Sequence, residues 1–177
     1  MQLPLTLTLL ASYAGIATAI YLPAGVWEGS VLANGSYLFK PAGAPDSERF
    51  IVLPTVEERS TGTLATRQSA WGGDCFPRDL NHQGCDGAVQ GLKNWAGNGR
   101  TLTSGNSNAL VSVDTRGAMA YYCIDAPHSS GNLDTVDINY ALEKMDANCV
   151  PYQASYFKWP GSVEIVGKDV LGANICV

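Results

Sequence analysis

The chain has 177 residues and a formal net charge of −5, a length that suits one domain plus an appendage. After Arg67, eleven acids outnumber seven scattered basic residues. Phosphate backbones and anionic membranes are bound by clustered Lys and Arg, so nucleic acid and anionic membrane surfaces are excluded as expected partners.

Residues 1–19 read as a secretory signal peptide. An apolar stretch, Leu3-Pro-Leu-Thr-Leu-Thr-Leu-Leu10, leads into a small-residue site ending Ala17-Thr18-Ala19. A basic n-region is missing, but the apolar part is shorter than the ~20 residues a span requires. No later segment is long and apolar enough to span a bilayer, so a secreted, extracellular product is expected.

Residues 20–70 contain no cysteine. Strand-like pieces run over Val26 to Leu32, Ser36 to Lys40 and Arg49 to Leu53, separated by Gly and Pro. A polar, linker-like stretch from Thr55 follows. Two readings stand open: a propeptide removed near Arg59 or Arg67, or an extra strand layer on the core. Asn34-Gly35-Ser36 is an N-glycosylation acceptor, which requires Asn34 at the surface.

Residues 71–177 hold all five cysteines: Cys75, Cys85, Cys123, Cys149 and Cys176. Cys85, Ala88, Val89, Leu92 and Ala96 fall at helical spacing, with Gly97 as the stop. Gly87 and Gly91 share another face of that helix, where they weaken it or admit a close neighbour. Ala109 to Val113 and Ala118 to Ile124 read as strands of a hairpin around Asp114-Thr115-Arg116-Gly117. Asp125 to Leu133 is expected to be a polar loop. A second helix follows, capped by Asp134, with Asp137 in its first turn. Its apolar stripe is Ile138, Ala141, Leu142, Met145 and Cys149, and Pro151 closes it. Tyr152 to Trp159 is an aromatic strand, Pro160-Gly161 the centre of a type II turn, and Ser162 to Val166 the returning strand.

This order predicts an α+β fold, an antiparallel sheet with two helices packed on one face, because each helix must bury one stripe. In an exported protein the cysteines read as disulfides. The expected bridges are Cys85–Cys123, from first helix to hairpin, and Cys75–Cys176, joining the ends of the core; Cys149–Cys176 is the competing bridge. Cys149 is then the free thiol, either a buried small hydrophobe or a point of intermolecular linkage.

The order of parts resembles the secreted necrosis-inducing factor effectors of fungi and the related killer-toxin-like fold. The resemblance rests on Cys75, the helix led by Cys85-Asp86, the strand ending Tyr121-Tyr122-Cys123, the helix with Asp137-Ile138, and the Gly161 to Cys176 end. It covers about residues 71–177. It implies an α/β sandwich, secretion, and action on a host or competing microbe without catalysis. Cys149 and the cysteine-free N-terminal part depart from the pattern.

Catalytic signatures are absent: there is no G-x-S-x-G, H-E-x-x-H, P-loop or EF-hand pattern. His82 has Asp79 and Asp86 nearby, which suits a metal or acid–base site, or more simply a polar approach to a helix. His128 belongs to an exposed loop. Asp134 with Asp137, and Glu164, are the carboxylates available for glycoside chemistry, although helix capping and an outward strand position explain them equally. Tyr156 and Trp159 are the candidate binding surface among the aromatics. The expectation is a monomeric, non-enzymatic effector or toxin-like protein without metal or cofactor, which binds an extracellular protein or glycan. A cell-wall-directed hydrolase or hydrolase inhibitor, and a cell-surface structural protein crosslinked through its odd cysteine, are the alternatives.

Overall fold

The computed structural model describes residues 22–52 and 70–176. The expected signal peptide and the stretch around Arg59 and Arg67 lie outside them. The fold is α+β: a large antiparallel sheet, two helices and two disulfides.

The N-terminal part forms a three-stranded meander, β1 (Gly25–Val31), β2 (Tyr37–Pro41) and β3 (Phe50–Val52). Strand β4 (Gly73–Asp79) leads to helix α1 (His82–Ala96) and the short β5 (Arg100–Thr103). The central hairpin is β6 (Ala109–Thr115) and β7 (Ala118–Ile124). Then come β8 (Ser130–Leu133), helix α2 (Thr135–Asn148), β9 (Gln153–Lys158) and β10 (Glu164–Val170). The main sheet runs β3-β2-β1-β6-β7-β10-β9-β4, and β5 pairs with β8 in a separate ribbon. The meander therefore joins the same sheet as the rest, instead of adding a layer over it.

Local chemistry accounts for the elements. Asn81 caps α1 by accepting from the Gly84 N–H at 2.8 Å. Asp134 and Asp137 form a reciprocal capping box at the start of α2. The β6–β7 hairpin turns at Arg116 and Gly117, both at positive φ, as a two-residue type I′ turn demands. At the next turn Ser162 N–H reaches Trp159 C=O with Gly161 at φ 74°, the expected type II arrangement.

Both helices pack on one sheet face. Ala88, Leu92 and Trp95 of α1 meet Ala109, Val111 and Val113 of β6 and Ala120, Tyr122 and Ile124 of β7; Ile138, Ala141 and Met145 of α2 join them. The glycine face of α1 makes the close approach possible. A Cβ at Gly84 would stand 2.6 Å from the Thr115 carbonyl, and one at Gly91 would stand 2.5 Å from a Val113 methyl. The opposite face carries a second core of Leu22, Tyr37, Phe39, Leu110, Met119, Tyr121, Cys123, Ile175 and Cys176.

The bridges differ from those expected. Cys75 is bonded to Cys149 and Cys123 to Cys176, with Cα–Cα distances of 5.7 and 5.8 Å; Cys85 is the free, buried thiol. Side chains alternate along β7, so Ala120 and Tyr122 face α1 while Cys123 faces away, out of reach of Cys85 on the helix side. The C-terminal tail crosses that far face and brings Cys176 to Cys123. Cys149 caps the end of α2 beside edge strand β4, where Cys75 is waiting, so it is no free thiol.

Three segments also depart from their expected structure. Ser130–Leu133, within the expected polar loop, is a strand paired with β5. Tyr152 sits at a turn with φ 59°, one residue before β9 begins. Strand β10 continues past the expected end at Val166 to Val170, with the charged side chains of its second half buried and paired: Lys168 with Asp146 at 2.5 Å, and Asp169 with Arg78 at 2.7 Å.

Candidate functional site

A cleft of about 230 Å³ opens where β8, the start of α2 and the β9–β10 turn meet. Its lining is Asn132, Leu133, Asp137, Trp159 and Glu164. Leu133 is fully buried beneath it, and the capping box at the head of α2 fixes Asp137. Asp137 N–H donates to Asp134 Oδ1 at 2.8 Å, and Asp137 Oδ2 accepts from the Asp134 N–H at 3.3 Å. Burial pushes the Asp137 carboxyl above the usual carboxylate range; the charges of Asp134 and Glu164 push the same way, against the lowering effect of the Asp134 backbone hydrogen bond.

Glu164 begins β10, and both its oxygens are held. Oε1 accepts from the Tyr122 hydroxyl at 2.6 Å and Oε2 from the Ser162 hydroxyl at 3.0 Å. Burial, with the carboxylate it donates to, raises the Tyr122 hydroxyl far above its ordinary value, so it remains a donor. Gly131 of β8 lies against this pair, and any Cβ there would collide with both Glu164 and the Tyr122 hydroxyl. Behind the lining, Trp159 meets the buried Phe157 edge-on at 5.0 Å, and Phe157 meets Tyr140 at 5.6 Å. Tyr140 is exposed, with the Lys144 ammonium 4.9 Å from its ring centre. The lining offers one aromatic side chain, an amide and two carboxylates to one small polar group.

The chain matches no family model, no curated protein and no solved structure.

Of the residues singled out in the sequence, the fold brings Trp159, Asp137 and Glu164 together in this cleft and leaves Tyr156 out. Tyr156 is on the other sheet face, packed with the second core and stacked on Phe76 at 5.9 Å, because it alternates with Phe157 along β9. Asn34 is exposed at the β1–β2 turn, where its Oδ1 accepts from the Ser36 N–H and hydroxyl. His82 is the first residue of α1 and stacks on Tyr152 with ring centres 3.8 Å apart, while Asp86 accepts from the Tyr152 hydroxyl at 3.4 Å. His128 is exposed in its loop. Cys85 is buried among Leu80, Ala118 and Ala154; burial, above all, raises its thiol, against the lowering effect of Lys168, so it is a poor nucleophile.

Sequence reasoning missed Asn132, Tyr122 and Ser162. Tyr122 had only a strand position to mark it, and Asn132 lay in a stretch read as loop. Ser162-Val163-Glu164 carried the one usable signal, a hydroxyl two residues before a carboxylate.

Proposed function

We propose that this is a secreted, non-enzymatic effector or toxin-like protein that acts on a host or a competing microbe by binding an extracellular target. The carrying observation is the cleft: a solvent-reaching recess with Trp159 on its wall and Asn132, Asp137 and Glu164 converging on it, the composition of a recognition pocket. Its chemistry suits a hydroxyl- or amine-bearing group laid against an aromatic face, on a glycan or a protein. Export is supported by the signal-like N-terminus and by two disulfides, which persist in oxidising compartments. Among the described residues no helix is long and apolar enough to cross a membrane. The order of helices and hairpins supports kinship with the necrosis-inducing factor and killer-toxin-like proteins. Asn34 as a glycan acceptor is in keeping with its exposure.

The test is to apply purified, oxidised protein to a panel of plant tissues and competing microbes, beside a Trp159→Ala variant. Tissue response or growth arrest that weakens at least tenfold in the variant is expected. Inertness of the wild type across the panel overturns the proposal.

A second reading, hydrolysis of a cell-wall glycan, is favoured by one observation: Asp137, with its carboxyl raised, shares the cleft with Glu164. Release of reducing ends from cell-wall glycans, abolished in Glu164→Gln, would establish it and displace the non-enzymatic reading. A surface polymer crosslinked through the odd cysteine has little support, since that cysteine is the buried Cys85.

A further inference from the structure

We infer that residues 22–52 are a permanent partner of the cysteine-bearing unit, held by a strand edge and an apolar trough on residues 70–176, and that they stay docked when the chain between is cut.

The position of β1 argues this first. It is an inner strand, flanked by β2 and β6, with Gly25 to Ser30 opposite Asp114 to Ala109. Removing the meander would leave the whole length of β6 as an open edge, the arrangement that templates pairing with other chains.

Packing argues it again, on both sides of the sheet. On the helix side Val26 and Ala42 lie against the core formed with α1 and α2. On the far side Leu22, Tyr37 and Phe39 cover Leu110, Met119, Tyr121 and Cys123, all buried. The trough is closed by the C-terminal tail, which Cys123–Cys176 anchors and to which the Tyr37 hydroxyl is hydrogen bonded through Ile175.

A leader designed to depart would leave behind a contiguous apolar patch and an unpaired strand. Residues 20–70 contain no cysteine, so nothing covalent would hold the segment after cleavage near Arg59 or Arg67. Pairing and packing alone would make the product a two-chain particle.

The test uses the full exported chain with a site-specific protease sequence inserted between residues 56 and 67. After complete cutting, gel filtration in native buffer is expected to show both pieces in one peak at the volume of the uncut protein. Denaturing gels should resolve them, and the N-terminal piece should separate only at denaturant concentrations that also unfold the larger one. Elution of the N-terminal piece alone, with the larger piece still monomeric and retaining its near-ultraviolet circular dichroism, would overturn the inference. Mass analysis of the naturally exported protein gives an independent reading. Residues 22–52 should be present, in one chain or two; an exported form that lacks them and is folded would overturn it equally.

Discussion

The hydroxyl of Tyr37 is bound from both sides by one residue 138 positions away: it donates to the Ile175 carbonyl at 2.9 Å and accepts from the Ile175 N–H at 2.8 Å. Burial raises its dissociation above the ordinary phenol value, against the Ile175 hydrogen bond, so the donor persists at any working pH. Tyr37→Phe keeps the ring stacked on Phe39 but leaves both Ile175 groups buried without that partner. A loss of about 1–3 kcal/mol is expected, read as a lower urea midpoint with an unchanged slope. An unchanged midpoint would mean that the tail is not tied to the meander through this contact.

The two bridges close loops of 74 and 53 residues. On the chain-entropy model each restricts the unfolded chain enough to contribute about 4 kcal/mol. Peptide mapping without reduction should recover Cys75 with Cys149 and Cys123 with Cys176. Titration of the native protein with a thiol reagent should find no reactive group, and unfolding in denaturant should release one, at Cys85. A mapped Cys85–Cys123 peptide would refute the arrangement.

How far the fold was legible follows from which residues spoke clearly. Helix α2 was readable because Asp134, Asp137 and the Ile138–Ala141–Met145 stripe all pointed one way. The β6–β7 hairpin was readable from two apolar runs around Arg116-Gly117. Strand β4 was not: Gly73-Asp-Cys-Phe-Pro-Arg-Asp79 carries a proline and charges, which an edge strand tolerates and an inner one does not. The bridges were misread although β7 held the answer, since Cys123 alternates with the Tyr122 that faces the helices. The cleft was legible only in fragments. Asp137, Trp159 and Glu164 stood out singly, but only the strand order β7-β10-β9 places α2 beside the β9–β10 turn, and no local pattern encodes that order.

Asp114 introduces a pH dependence. It lies buried on β6 with Ser112 donating to Oδ1 at 2.8 Å and Oδ2 without a hydrogen-bond partner, and burial, partly offset by that hydroxyl, raises its carboxyl to about 7. The folded state therefore holds a proton that the unfolded chain has already released above the usual carboxylate range. Its contribution is full at pH below about 4 and falls as pH rises toward 7, by an amount of order 4 kcal/mol across the window. Asp114→Asn should flatten this part of the stability profile and raise the melting temperature at pH 8 while changing it little at pH 4. An equal shift at both pH values would sink this account.

Buried charge supplies the last prediction, because the two ion pairs beneath the sheet faces are asymmetric. In the Lys168–Asp146 pair the cation is 4% exposed and the carboxylate 53%; in Arg78–Asp169 the cation is 34% exposed and the carboxylate 1%. Deleting the exposed member strands the buried charge in a poorly solvating interior, whereas replacing the buried member by an apolar side chain of similar size leaves only a solvated one. Asp146→Ala is therefore expected to cost about 3 kcal/mol and Lys168→Met about 1 kcal/mol or less, the reverse of what burial alone would rank. Arg78→Met should also be destabilising, since Asp169 loses the Arg78 cation while keeping its other contacts, the hydrogen bond from the Val170 N–H among them. Urea denaturation of the three variants at pH 6 gives the order directly. Lys168→Met proving the most damaging would show that the lysine stem fills a space methionine cannot, and that its charge is not what Asp146 stabilises.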